Sequence, residues 1–274
     1  MATNLNISLT AEPIFHLGPL PVTNSLLVTW LVIAVLLVVG FLAGRKPRRI
    51  PRGLQNAFEY VFELLLGLMD SVTLDRKKSE RFFPFLATFF VFIAAANLTD
   101  ILPGVGTVGL NEVTENGVQL IPFFRPPASD LNFTVALAVV SVITTQILGI
   151  AALGLFKHLK KYFTAKGGPV YTFVGLLELV SEVAKVVSFS FRLFGNIFAG
   201  EVLLTVIAAL VPFVVPLPFY LLELFVALVQ ALVFTMLSLV FFTVATASHE
   251  EHESEPQKKE LKPAASRSPA TLTS

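Results

Sequence analysis

Apolar residues gather along the chain into long runs that short polar segments separate. A helix needs about 20 predominantly apolar residues to cross a bilayer, and five runs are long enough. They predict membrane-spanning helices at about 26–44, 82–102, 131–156, 170–210 and 219–247. The last two are divided at V-P-F-V-V-P-L-P (211–218), because proline lacks a backbone donor and disrupts a helix interior.

The fourth run is too long to stand upright in a membrane. A helix over 170–210 is roughly 60 Å long at about 1.5 Å per residue, about twice the hydrocarbon thickness. We therefore expect this helix to be strongly tilted, kinked or extended beyond the bilayer. Together with the fifth span it should form a long tilted hairpin.

A sixth apolar segment, 54–72, carries polar side chains on one helical face only. Those side chains are Asn56, Glu59, Glu63 and Asp70. The pattern is typical of an amphipathic helix that lies on the membrane surface. Basic clusters flank the segment at 45–52 and 76–81, and a crossing would place one of them outside, against the positive-inside rule. We predict a surface helix here.

The distribution of basic residues predicts the orientation. Seventeen of the 20 lysines and arginines fall in segments that this arrangement places on one side: 45–52, 76–81, 157–166 and 248–274. The positive-inside rule makes that side the inside. The predicted fold is an all-α polytopic membrane protein with an outside N-terminal segment (1–25) and a membrane domain (26–247). An inside tail (248–274) follows, which is charged and aperiodic and therefore predicted to be disordered.

Composition excludes several other classes of protein. Hydrophobic residues make up 54% of the chain and charged residues 14%, with a mean hydropathy of +0.76, whereas soluble domains carry about 25% charged residues. The absence of cysteine excludes disulfides and thiolate chemistry. The H-E-E-H at 249–252 is better explained as a solvated tail than as a metal site. Nothing else predicts a catalytic residue, a cofactor, a metal or a nucleic-acid partner.

The fourth span carries a polar stripe around an arginine. On a helix that turns about 100° per residue, five polar side chains lie within about 40° of the direction of Arg192. They are Glu178, Ser181, Lys185, Ser188 and Asn196. Ion pairs along the helix could explain Glu178, Glu182 and Lys185, which lie near the inner surface. They do not explain Arg192, which has no carboxylate three or four residues away.

An arginine at the centre of a span costs about 2.5–3.5 kcal/mol on insertion scales, and such residues normally face a partner or a water-filled cavity. Arg192 therefore implies a carboxylate that is brought from elsewhere. Glu223, Ala227 and Gln230 share a face of the fifth span, whereas Glu201 points away from Arg192. Asn97 and Asp100 end the second span, where a polar helix end near water is an alternative explanation.

Small residues form a stripe on the third span. The stripe is Thr134, Ala138, Ser141, Thr145, Gly149 and Ala152. Such stripes let helices approach closely, so we interpret this one as a packing surface. Gly195 and Gly200 have the spacing of a phosphate loop, but Glu201 stands where that loop needs lysine and no strand precedes it.

Several separated motifs resemble one known family. The segment S-F-R-L-F-G-N-I-F-A-G-E (190–201) is similar to the a-subunit family of the F-type ATP synthase in its bacterial form. The same resemblance extends to T-N-S-L-L-V-T-W (23–30), N-L-T-D-I-L-P-G (97–104), S-D-L-N (129–132), E-L-V-S-E-V-A-K (178–185) and L-V-Q-A-L-V-F (228–234), in the same order. The match covers about residues 22–247.

The resemblance implies a non-catalytic stator subunit that faces a rotating ring of c subunits. Arg192 would face the essential carboxylate of the ring, favour its ionised form and block a direct proton leak between two half-channels. The implied outer half-channel involves Asn196, Glu201, Glu223 and Gln230, with Asp100 near its mouth. The implied inner half-channel involves Glu178, Ser181 and Ser188. One departure matters, because many bacterial members have histidine where this chain has Glu223.

The implied partners are the c-ring, the peripheral-stalk b subunits, the other synthase subunits, membrane lipid and the translocated H⁺. The implied location is the plasma membrane of a bacterium. Two other hypotheses stay open at the level of the sequence. One is a channel or secondary transporter in which Arg192 binds an anionic substrate. The other is a structural subunit of a respiratory complex, in which the polar stripe serves assembly.

Overall fold

The computed structural model describes most of the predicted membrane domain. It describes residues 12–17, 20–45, 53–102, 105, 109–114, 117–156, 158, 169–211 and 214–247. The predicted tail, with its H-E-E-H segment, lies outside the described residues, as does most of the predicted N-terminal segment.

Six long α-helices form the framework of the part of the chain that the structure describes. They are α1 (Asn24–Gly44), α2 (Leu54–Thr73), α3 (Arg76–Leu98), α4 (Leu131–Leu153), α5 (Pro169–Leu210) and α6 (Pro216–Ala247). Within the described residues, all of them except α2 are long and apolar enough to cross a membrane. The five predicted spans therefore correspond to helices, and the segment that we assigned to the surface is the sixth. Two short 3-10 helices, Thr99–Ile101 and Pro127–Ser129, follow α3 and precede α4.

Some helix ends differ from the hydropathy estimate because caps and prolines set them. The side chain of Asp75 caps the start of α3, which begins six residues earlier than predicted. Gly154, with a φ of 79°, follows the last residue of α4, which ends three residues earlier than predicted. Helix α6 starts at Pro216, since a first turn does not need the backbone donor that proline lacks.

The expectation of an all-helical chain was incomplete, because the structure also contains two β-hairpins, one before the first helix and one between two helices. Strands β1 (Pro13–Leu17) and β2 (Leu20–Thr23) pair antiparallel before α1. Strands β3 (Gly109–Thr114) and β4 (Gly117–Pro122) pair antiparallel between α3 and α4. Both lie outside the apolar runs, and in each hairpin the two strands hydrogen-bond to each other along their facing edges. Pairs of such short strands are hard to recognise in a hydropathy profile.

Helices α5 and α6 form the long hairpin that the sequence predicted. Helix α5 is continuous over 42 residues, which corresponds to roughly 60 Å at about 1.5 Å per residue. The two helices run antiparallel, since Phe189 on α5 contacts Phe234 on α6, whereas Gly200, later on α5, contacts Glu223, earlier on α6. The tilt of this hairpin relative to a membrane stays a prediction.

Aromatic side chains fill the centre of the bundle. The ring of Phe234 on α6 stacks against Phe189 on α5, with centroids 4.8 Å apart, and against Phe89 on α3 at 5.6 Å. Leu65 and Met69 bury one face of α2 in a second cluster with residues of α3 and α6. The exposed apolar residues of α1 and α5 lie on the outside of this bundle.

The small-residue stripe of α4 is a packing surface, as predicted. Thr134, Ala138, Ser141, Thr145 and Gly149 are buried. The hydroxyl oxygen of Ser141 lies 2.8 Å from that of Ser238 on α6. The stripe therefore allows α4 and α6 to approach closely and to hydrogen-bond across the contact.

Asp130 ties α1 to α4 at the end of the bundle that the sequence predicts to be outside. Its Oδ2 accepts a hydrogen bond of 2.6 Å from the hydroxyl of Ser25, at the start of α1. Its Oδ1 accepts from the backbone N–H of Asn132 at 2.9 Å and so caps α4. Both side chains of the tie are buried, so the two helices share one polar anchor.

Candidate functional site

Arg192 lies on the exposed side of α5, in the middle of a candidate span. Its neighbours Val187 and Phe191 are exposed as well, with 49% and 56% of their surfaces accessible. The nearest hydrogen-bond partner is Ser188, whose Oγ lies 3.5 Å from Nη2, at the limit of a hydrogen bond. In the described part of the chain no carboxylate pairs with Arg192. The guanidinium therefore faces away from its own bundle.

A cavity of about 290 Å³ extends from Arg192 towards the predicted inner end. Its polar lining is Ser181, Lys185, Ser188 and Arg192, all on α5. Lys185 donates a hydrogen bond of 2.7 Å to Glu182 and lies 4.9 Å from the centre of the Phe241 ring. Three members of the predicted stripe thus line one cavity with Arg192. Glu178 lies two turns before Lys185, is half-buried and does not line the cavity.

On the other side of Arg192, amide side chains join three helices. Nδ2 of Asn196 on α5 donates to Oε1 of Gln230 on α6 at 2.8 Å. Nδ2 of Asn97 on α3 donates to the backbone carbonyl of Ala227 on α6 at 3.1 Å. Gln230 and Asn97 are both buried. These contacts bring the predicted residues of α3, α5 and α6 to a common polar region.

Three carboxyl groups meet in that region. One comes from the 3-10 helix after α3, one from α5 and one from α6. The carboxyl of Asp100, in the 3-10 helix after α3, interacts with those of Glu223 on α6 and Glu201 on α5. Glu223 is only 5% exposed. Its carboxyl packs directly on Gly200, where an added β-carbon would lie 2.8 Å from the Glu223 Cδ. Glycine at 200 therefore makes room for the carboxyl group.

A second arginine approaches this carboxyl cluster, and sequence reasoning did not select it. Arg125 precedes α4, is 5% exposed, and places Nη2 at 3.9 Å from Oε2 of Glu201. Its Nε donates to the hydroxyl of Ser129 at 3.1 Å. One signal could have identified Arg125, since it is the only basic residue in a loop predicted to lie outside. Ser129 and Gly200 lie in motifs quoted from the sequence, but those motifs did not predict their contacts with Arg125 and Glu223.

Several buried polar atoms of the region make no hydrogen bond within the described residues. They are Oδ1 of Asn97, Oδ2 of Asp100, Oε2 of Glu201, both carboxyl oxygens of Glu223 and Nε2 of Gln230. Burial of a polar group without a partner costs free energy, so these atoms require water or a proton as a partner. Such an arrangement can pass protons among carboxyl groups. In the described ranges, neither these carboxyl groups nor any other set of three His, Cys, Asp or Glu side chains has a geometry that could hold a metal ion.

Comparisons with known proteins identify the family of the chain. The family described as ATP synthase A chain matches residues 26–243. The ATP synthase subunit a of Moorella thermoacetica is 35% identical over 236 residues, which cover 86% of this chain and 96% of the relative. The subunit a of Campylobacter jejuni is 32% identical over 251 residues, covering 90% and 96%. That of Gloeobacter violaceus is 33% identical over 239 residues, covering 87% and 90%. The chain thus belongs to the ATP synthase A chain family.

Proposed function

We propose that this chain is the proton-translocating stator subunit of a rotary ATP synthase in the plasma membrane of a bacterium. Family membership makes it a non-catalytic subunit of the membrane sector. Its partners in the proposal are the c-ring, the peripheral-stalk b subunits, the other synthase subunits and membrane lipid. The translocated ion is H⁺.

The exposed position of Arg192 carries the proposal. A guanidinium stays protonated under almost all conditions, and an unpaired one in the middle of a span is costly. In the described residues no carboxylate of this chain compensates it, and its side of α5 is not covered by the bundle. A carboxylate on the c-ring that passes this face would supply the missing charge. Arg192 would favour the ionised form of that carboxylate and so promote proton release.

The two polar regions on either side of Arg192 are the proposed half-channels. The outer one comprises Asn196, Glu201, Glu223 and Gln230, with Asp100 near its mouth. Its support is the set of buried polar atoms that lack a partner in the described residues. The inner one comprises Glu178, Ser181 and Ser188. Its support is the cavity below Arg192, which Ser181 and Ser188 line.

Proton flow is coupled to rotation because the half-channels are offset along the path of the ring. A ring carboxylate releases its proton at one half-channel, passes Arg192 in the ionised form and takes up a proton from the other. The fixed charge of Arg192 repels protons and prevents direct passage between the half-channels. One elementary charge that crosses about 100 mV releases about 2.3 kcal/mol, which is the driving force for each step.

Replacement of Arg192 tests the proposed function. We expect Arg192→Ala to abolish ATP-driven proton pumping in inverted membrane vesicles, because the ring carboxylate loses its counter-charge. Arg45→Ala is the matched control, since Arg45 is an exposed arginine at the end of α1, far from the cavity. It should pump like the wild type. Pumping by an assembled Arg192→Ala complex would refute the role of Arg192.

A further inference from the structure

Lys185 brings a second positive charge to the cavity that extends from Arg192, and the proposed half-channels leave this lysine without a role. We propose that Glu182 is a positioning residue of the inner half-channel, which neutralises Lys185 and so lets protons enter a cavity that would otherwise repel them. The inference rests on the proposed function. It deepens that function, because it names the residue that sets the electrostatic potential of the inner half-channel.

Two contacts hold the ammonium group of Lys185 at the wall of the cavity. Nζ donates a hydrogen bond of 2.7 Å to Oε1 of Glu182, three residues earlier on α5. It also lies 4.9 Å from the centre of the Phe241 ring on α6, within the distance at which the face of an aromatic ring attracts a cation. The side chain of Lys185 is only 19% exposed. Lys185 therefore presents a positive charge that stays beside the cavity.

Glu182 is the carboxylate that offsets this charge. In the part of the chain that the structure describes, it is the only carboxylate that forms an ion pair with Lys185. Its side chain is 14% exposed, and its second oxygen, Oε2, is buried without a hydrogen bond within the described residues. The ion pair is therefore the contact that holds the carboxylate in place. Glu182 does not line the cavity, so it acts on a proton there through Lys185.

The described residues that line the cavity supply no acid. Two charged side chains line it, Lys185 and Arg192, and both are cations. From the facing helix α6, Leu237 and Phe241 complete the lining, and neither titrates. Glu178 lies two turns before Lys185 on α5 and does not line the cavity. Without Glu182, a proton that approaches from the inside would meet two uncompensated positive charges.

The size of this repulsion follows from helix geometry. Lys185 and Arg192 are seven residues apart, which is about 10 Å at about 1.5 Å per residue. An uncompensated unit charge at about 10 Å lowers the local proton concentration about twofold at the dielectric constant of water and about fifteenfold at a dielectric constant of about 20. An intermediate effect of about fivefold is equivalent to about 0.7 pH unit.

Removal of each partner of the ion pair, alone and together, tests this role. The assay is ATP-driven proton pumping by the complete synthase in inverted vesicles, where the inner half-channel opens to the medium. We expect Glu182→Gln to reduce the initial rate about fivefold and to shift the pH profile of pumping about 0.7 unit towards acid. Lys185→Gln and the double variant leave no uncompensated lysine, so each should pump at least about twice as fast as Glu182→Gln.

Glu80→Gln is the matched control. It removes an exposed carboxyl group from an ion pair with Arg76 at the start of α3, and neither residue lines the cavity. We expect this variant to keep the rate and the pH profile of the wild type, because the charge that it changes lies in solvent and is screened.

The sign of the charge that remains separates an electrostatic role from a structural one. A structural ion pair is lost equally with either partner, so equal losses in Glu182→Gln and Lys185→Gln would overturn the inference. A Glu182→Gln variant with the wild-type rate and pH profile would overturn it as well. If Glu182→Gln does not assemble, the double variant decides: a complex that assembles and pumps supports charge compensation, and one that fails contradicts it. These outcomes leave the proposed function intact, which Arg192→Ala tests separately.

Discussion

At the scale of single residues, the fit between Gly200 and Glu223 determines where the carboxyl group of Glu223, a proposed proton carrier, can lie. The two residues are on facing helices, and the carboxyl of Glu223 occupies the space where any other residue at 200 would place its β-carbon. Many bacterial members of the family have histidine where this chain has Glu223. In this chain a buried carboxyl group, in van der Waals contact with Gly200, takes the place of that imidazole.

A methyl group at position 200 should displace the carboxyl of Glu223. We expect Gly200→Ala to reduce ATP-driven proton pumping about fivefold to tenfold with the complex still assembled, because a displacement of about 1 Å is sufficient to disturb proton transfer. Gly40→Ala on α1 is the matched control, since a β-carbon there would have no neighbour within 4 Å. Equal rates for Gly200→Ala and the control would mean that the position of Glu223 is not critical.

At the scale of elements, hydrogen bonds between polar side chains at helix ends fix the relative positions of the long apolar helices. Helix α1 exposes most of its apolar surface and buries only Asn24, Ser25, Val28 and Val32. The hydrogen bond from Ser25 to Asp130 therefore contributes more to the attachment of α1 to the bundle than the packing of α1 does. The same Asp130 caps α4 and directly follows the loop that carries Arg125.

Loss of the Asp130 carboxylate should loosen this end of the bundle. Asp130→Ala removes a helix cap, worth about 1 kcal/mol, and a hydrogen bond to a charged group, worth about 1.5–3 kcal/mol. We expect a loss of about 2–4 kcal/mol, visible as a lower melting temperature of the purified complex. Ser25→Ala removes only the hydrogen bond to α1 and should have a smaller effect. A melting temperature that is lower for Ser25→Ala than for Asp130→Ala would contradict this account.

At the scale of the whole molecule, orientation follows from charge and the fold alone does not fix it. The five candidate spans could be inserted either way round. The basic segments predict that the α2–α3 junction lies inside and that the loop before α4 lies outside. The natural absence of cysteine makes this prediction directly testable.

Single cysteines introduced at the two ends should label from opposite sides. The native Leu74, at the α2–α3 junction, is 88% exposed, and the native Phe124, before α4, is 40% exposed. The two variants are Leu74→Cys and Phe124→Cys. In intact cells we expect an impermeant maleimide to label Phe124→Cys and to leave Leu74→Cys unlabelled. Inverted vesicles should give the reverse pattern. Labelling of Leu74→Cys from outside would overturn the predicted orientation.

Sequence alone determined the properties that depend on local composition. The five candidate spans, the amphipathic segment between the first two of them and the packing role of the α4 stripe follow from apolar run length and from the 3.6-residue period. The isolated arginine on α5 was visible for the same reason, because its own helix offers it no acid at i±3 or i±4. Helix ends were less predictable, since single caps such as Asp75 and Gly154 set them.

Only the tertiary structure decided which distant residues meet. Arg125 and Glu201 are far apart in the sequence, as are Asp100 and Glu223, and no periodicity within one helix relates them. The approach of Glu223 to Gly200 likewise depends on how closely α5 and α6 pack. Local pattern fixes which face of a helix a side chain occupies. The register and spacing of helices against each other depend on the packing of the whole bundle, and so does the arrangement of charges that faces the proton pathway.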